Sequence, residues 1–110
     1  MSTFIMFGKY TAEGFTNMSQ ERTEKIVEII KKRNGNILNM FAILGEYDLL
    51  FLVDFQNTKT AMQTSVEISH YSGISFSTSP ALPVEMFDEL MGGGFFSDWK
   101  SPQSLSLIHI

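Results

Sequence analysis

The strongest constraint in this 110-residue chain is a pair of apolar segments, residues 37–44 and 47–55, separated only by Gly45 and Glu46. Short runs rich in Ile, Leu, Phe and Val read as strands. A two-residue connection with glycine at its first central position fits a tight antiparallel hairpin. In that hairpin Leu44 faces Tyr47, which fixes the pairing back along both strands. Alternation then places Leu38, Met40, Ala42 and Leu44 on one face with Tyr47, Leu49, Phe51 and Val53. Ile37, Asn39, Phe41 and Ile43 share the other face with Asp48, Leu50, Leu52 and Asp54. Both faces are largely apolar, so both need a cover.

The flanking sequence supplies helices and two more strands. Residues 3–11 read as a first strand, ended by the turn Thr11-Ala12-Glu13-Gly14. Asn17 or Ser19 can cap the helix that follows. Ile26, Ile29 and Ile30 form its apolar stripe, with Glu21/Lys25 and Glu28/Lys32 four apart on its wet side. Asn34-Gly35 stops it, glycine being suited to a left-handed cap. Asn57 or Thr58 opens a second helix carrying Ala61, Met62 and Val66 and ended by Gly73, and residues 74–79 form a more polar fourth strand. Pro83 can start a short third helix to Met91, with Met86, Phe87, Leu90 and Met91 as its apolar side. The triple glycine at residues 92–94 follows a helix end and precedes no Lys-Ser/Thr pair, so it reads as a helix stop or linker rather than a phosphate loop.

This order, βαββαβ, predicts an α+β fold with a four-stranded antiparallel sheet. Right-handed crossovers place both helices on one face. The uncovered face carries Ile37, Phe41, Ile43, Leu50 and Leu52. The first strand adds either Ile5 and Phe7 with Lys9, or Phe4 and Met6 with Tyr10. Leaving about seven such side chains wet forgoes roughly 10–20 kcal/mol at most, at about 1.5–3 kcal/mol each. That rivals the whole stability of a small domain, roughly 5–15 kcal/mol. Packing two identical faces together in a homodimer recovers it. A third helix folded over the same face is the monomeric alternative.

Composition narrows the partners. A net charge of −4 and a pI near 5.0 argue against nucleic acid. The one basic cluster, Lys31, Lys32 and Arg33, sits where a helix dipole favours cations. The absence of cysteine removes disulfides, thiolate metal sites and thiol nucleophiles. His70 has no second histidine or carboxylate pair beside it in sequence, and neither a metal nor a cofactor is expected. The longest apolar run, residues 49–53, is far short of the roughly 20 residues that cross a bilayer. With no signal-like N-terminus, a cytoplasmic location is expected and no membrane partner. The chain divides into a domain over residues 1–91, a Gly-rich linker and tail over 92–103 that includes Trp99, and residues 104–110. The last of these resemble translated adapter sequence and read as a non-native tail.

Two short motifs carry a family resemblance. Gly8-Lys9-Tyr10-Thr11 with Glu13-Gly14, and Leu44-Gly45-Glu46-Tyr47-Asp48 with the apolar strand after it, resemble the GYD-domain family over residues 3–91. The resemblance implies a ferredoxin-like fold of the dimeric α/β-barrel group and a family whose biochemical role is uncharacterised. The Gly-Glu-Tyr-Asp turn is also similar to one in the effector-sensing domains of Lrp/AsnC-type regulators. Those share the barrel plan and bind small molecules such as amino acids. Because 110 residues leave no room for DNA-binding helices, this likeness implies a free-standing sensing module.

Tyr10, Asn39, Tyr47 and Asp48 are the candidate ligand-binding residues, with Asp54 able to extend the polar spot. Each has a plainer reading. Asp48 can pair with a backbone amide at the turn, Tyr10 can pack its ring, and the Phe and Met abundance can simply fill a core. Glu46 is expected in solvent. The expectation is a homodimeric small-molecule-binding or sensing module. The alternatives are a structural subunit and, as the barrel resemblance implies, a cofactor-independent, monooxygenase-like enzyme acting on an apolar aromatic substrate.

Overall fold

Helix starts and stops are set by local chemistry in the computed structural model, which describes residues 1–12 and 18–92. Ser19 caps helix α1 (Gln20–Lys32) by accepting the Arg22 amide through Oγ at 3.1 Å. Asn57 caps α2 (Thr58–Ser72) by accepting the Thr60 amide at 2.8 Å, and Gly73 closes it at φ 73°. Beyond α1 it is Asn34, at φ 62°, and not Gly35, that takes the left-handed conformation. Gly35 is needed for space, since a Cβ there would lie 2.7 Å from Ile30 Cγ2 and 2.8 Å from the Phe55 ring.

Strands β1 (Ser2–Tyr10), β2 (Asn36–Ala42), β3 (Leu49–Phe55) and β4 (Ile74–Ala81) form one sheet in the order β2-β3-β1-β4. All neighbours are antiparallel. This is the ferredoxin-like βαββαβ arrangement, followed by α3 (Val84–Leu90). Phe4, Met6, Phe51, Val53, Phe55 and Ile74 form the sheet side of the core. Ile26, Ile29 and Ile30 of α1 and Ala61 and Ile68 of α2 close over them.

α2 docks differently from the sequence expectation. Its buried side is Ala61, Thr64, Ser65, Ile68 and Ser72, while Met62 and Val66 lie exposed on the outer side. The small polar side chains bind the edge strand. Ser72 Oγ accepts the Ile74 amide and Ser69 Oγ the Phe76 amide, each at 3.1 Å. Thr78 donates to Ser65 Oγ at 2.8 Å. Hydroxyls thus cover an edge that would otherwise offer amides to another strand.

The faces of the sheet follow the predicted alternation except where β2 slips. Its register with β3 shifts between Ile37, opposite Val53, and Asn39, opposite Leu52. Leu38 is the extra residue of this bulge and is 45% exposed. The slip corrects two assignments: Ile37 leaves the uncovered face to pack against the core, and Leu38 leaves the helix side. Leu44, also expected beneath the helices, lies fully exposed past the end of β2. In β1 Phe4 and Met6 are buried, so Ile5, Phe7 and Lys9 face the uncovered side.

That side therefore carries Ile5, Phe7, Asn39, Phe41, Leu50 and Leu52, bounded on β4 by Ser75, Ser77 and Ser79. α3 buries none of its residues and so does not serve as a cover. Phe41 is 48% exposed, but Ile5, Phe7, Leu50 and Leu52 are only partly so, because neighbouring side chains lean on one another. The area left for a partner is smaller than a count of side chains implies. Replacing Gly35 with alanine should lower stability by about 1–3 kcal/mol, the cost of overpacking a filled core. Urea unfolding followed by far-UV circular dichroism checks this.

Candidate functional site

The two motifs meet at one end of the sheet. β2 and β3 stay bonded as far as the Ile43 amide on the Asp48 carbonyl, 2.9 Å. Beyond it lie four residues, Leu44 to Tyr47, not the expected two-residue turn. The reason is that this loop is drawn onto β1. The Asp48 amide donates to the Gly8 carbonyl at 2.8 Å, and Asp48 Oδ2 accepts the Tyr10 amide at 2.8 Å. Lys9 Nζ donates to the Glu46 carbonyl at 2.9 Å. The Tyr47 ring lies 4.9 Å from that of Phe7. Gly45 adopts φ 139°, a conformation that favours glycine. Gly8 admits the Phe76 ring, which a Cβ would meet at 2.9 Å. Gly8, Lys9, Tyr10 and Asp48 thus join β1 and the hairpin in a single clasp.

On the helix side of this clasp is a cavity of about 190 Å³ between α1 and the sheet. Ile26, Met40, Leu49, Phe51 and Ile74 give it apolar walls, and Tyr10, Arg22 and Thr23 bring polar groups to it. Arg22 is only 8% exposed. Its Nη1 donates to the Ser72 carbonyl at 3.3 Å, and its guanidinium carbon stands 5.7 Å from the Tyr10 ring centre, a cation–π distance. A larger hollow of about 380 Å³ between the ends of α1 and α2 shares Arg22 but is lined mainly by polar residues, among them Ser19, Glu21 and His70.

The predicted ligand residues are divided between the two sides of the sheet. Asn39 faces the uncovered side opposite Leu52, and Tyr47, expected under the helices, stacks on Phe7 there instead. Tyr10 points the other way, against the core and the cavity. Asp48 joins the two sides through the backbone, the plainer of its two readings. Asp54 is bonded to Thr3 across the β1–β3 pair at 2.6 Å. Sequence reasoning missed Arg22. The available signal was a cation in the first turn of a helix, the end whose dipole repels it. Among the described residues no three His, Cys, Asp or Glu side chains come together as a metal site would require. No described helix is long and apolar enough to cross a membrane.

A four-stranded antiparallel sheet with two helices on one face and a clasped hairpin defines a small ferredoxin-like α+β domain. The chain belongs to the GYD domain family, whose match runs over residues 4–91. Among solved structures it is similar to the Mycobacterium tuberculosis leucine response regulatory protein (LrpA), with a TM-score of 0.50 and 7% identity. That likeness covers 74% of this chain and 51% of the regulator, so the chain spans about half the length of the protein it matches. At this identity the likeness is one of fold. None of the curated proteins compared matches the chain.

Asp48→Ala should cost about 1–2 kcal/mol, the penalty for leaving the Tyr10 amide without its acceptor. It should also speed hydrogen exchange at that amide. Asp48→Asn, which keeps one acceptor oxygen, should lose less. Amide exchange by NMR with urea unfolding checks both.

Proposed function

We propose that this chain is a homodimeric small-molecule-binding module that senses its ligand beside the Gly45 hairpin. The observation that carries the reading is the clasp, because it ties a cavity on one side of the sheet to an uncovered apolar face on the other. The Tyr10 ring and Leu49 line the cavity. The Tyr10 amide is held by Asp48, next to the Tyr47 that stacks on Phe7. A ligand that shifts Tyr10 or Leu49 thereby acts on the hairpin lying across the uncovered face. Differential contact of this kind is what a sensing step requires.

The uncovered face is the surface for the second copy. Phe41, Leu50 and Leu52, with Ile43 just past β2 and Ile5 and Phe7 from β1, present apolar groups to the same side. An interface of two identical patches needs this kind of self-complementary surface. Asn39 and Tyr47 stand on that face, where they would meet the partner or the edge of a ligand. The fold likeness to a leucine response regulatory protein is consistent with a sensing role and carries no ligand with it.

Light scattering across a dilution series should return twice the chain mass at micromolar concentration, and native mass spectrometry should find small molecules retained by the protein. Leu50→Glu should raise the dimer dissociation constant by about a hundredfold or more, since an unpaired buried charge costs about 3–5 kcal/mol. Its far-UV circular dichroism should be unchanged. A wild-type chain that is monomeric and folded throughout the series overturns the dimer.

A further inference from the structure

Among the described helices α3 alone buries none of its residues. It is two-sided: Glu85, Asp88 and Glu89 lie on one side, and Val84, Met86, Phe87 and Leu90 on the other. Those four apolar residues, with Leu82 before them, are between 46 and 72% exposed. A helix this short is marginal in water by itself, since helices in proteins are held mainly by packing of an amphipathic face. No side chain among the described residues caps its start at Pro83. The apolar side of α3 therefore needs a surface to pack on.

The nearest part of its own sheet does not offer one. α3 follows β4 after Leu82 and Pro83, and β4 presents Ser75, Ser77 and Ser79 toward the uncovered side. The apolar part of that side lies on β1, β3 and β2, in Ile5, Phe7, Leu50, Leu52 and Phe41. When two such faces are stacked about a two-fold axis along the strands, the strand order is reversed and β4 of one copy lies over β2 of the other. β4 ends at Ala81 opposite Thr3, Thr3 lies opposite Asp54, and Asp54 lies opposite Asn36. α3 thus arrives near the start of β2 in the second copy. Leu38 of the bulge is 45% exposed there, and Leu52 is opposite the neighbouring Asn39. A membrane surface is a poorer match, because the polar side of α3 carries only acids, which anionic headgroups repel.

Area points the same way. A stable interface removes about 800 Å² from each partner. At on the order of 200 Å² for a whole large apolar residue, the apolar residues of the sheet face, of which only Phe41 is near half exposed, offer about 400 Å². On the same scale Leu82 and the four apolar residues of α3 offer about 500 Å². The two surfaces together reach what neither reaches alone.

We propose that α3 is an exchanged arm of the homodimer, its apolar side packed against Leu38 and Leu52 of the second copy. This rests on the homodimer reading and names the segment that completes its interface.

The test uses the full chain, which has no cysteine of its own. Phe87→Cys with Leu38→Cys in one chain, treated with a short bis-maleimide, should give a species of twice the chain mass on a denaturing gel. Neither substitution alone should do so. Phe87→Asp with Leu90→Asp should raise the dimer dissociation constant at least tenfold in light scattering. Because neither residue is buried within the chain, the far-UV circular dichroism of the sheet should be kept. Glu85→Gln, on the acidic side, should change the dissociation constant less than twofold. A link formed within one chain overturns the proposal in favour of a helix folded back on its own sheet. A rise of less than tenfold for the double aspartate variant, in a chain that dimerises, overturns the arm and leaves the homodimer standing. A wild-type chain that is monomeric and folded at every concentration overturns both.

Discussion

Right-handed crossovers put α1 and α2 on the same side of the sheet, and most other features of the molecule follow from that asymmetry. One side becomes a dry core in which Phe4, Met6, Phe51, Val53 and Phe55 meet the isoleucines of α1. The other keeps Ile5, Phe7, Phe41, Leu50 and Leu52, and among the described residues no helix buries itself against them. Local devices then adjust to this division. The bulge at Leu38 takes Ile37 from the wet side to the dry one, gaining its burial at the cost of one ladder position. α2 lies near the edge strand β4, so it buries Thr64, Ser65 and Ser72 rather than Met62 and Val66, and its hydroxyls occupy the strand's amides.

The clasp is the feature that relates the two sides. A strand's alternation normally keeps its faces independent, because neighbouring side chains point apart. Here the backbone carries the connection: Asp48 binds the Gly8 carbonyl with its amide and the Tyr10 amide with its carboxylate. Phe7 and Tyr10 lie on opposite sides of the same strand end, and the loop is fastened next to both. The motif residues are thus held by geometry. Gly8 is fixed by the Phe76 ring, Gly45 by its positive φ, and Lys9 by the Glu46 carbonyl.

Element order, sheet type and the uncovered face were legible in the sequence because period-two alternation and helix caps are local signals. The Ser19 and Asn57 caps and the Gly73 stop follow from side-chain chemistry within a few residues. The misassigned positions depended on contacts between distant segments. Nothing near Leu38 announces a bulge, and the exchange of Ile37 for Leu38 is decided by what packs beneath β2. The four-residue hairpin loop is longer than its spacing implies because β1, some forty residues earlier in the chain, binds Asp48 and Lys9 binds Glu46. Of the candidate site, Tyr10 and Asp48 were found through their motifs, but their separation onto different roles was not, since one points by ring and the other acts through backbone. Glu13, Gly14 and Asn17, the linker beyond Gly92, Trp99 and the tail at residues 104–110 lie outside the described residues.

Arg22 is the one buried charged residue among the described residues. Burying a guanidinium costs several kcal/mol, and an apolar residue of similar volume is commonly neutral or better for stability. The first turn of a helix adds a further penalty, because its dipole is positive there. The Ser72 carbonyl and the Tyr10 ring are among the groups that offset this cost. The same placement sets the guanidinium against the Tyr10 ring, at the strand end on which the hairpin is clasped, so the buried charge and the clasp are held by one residue.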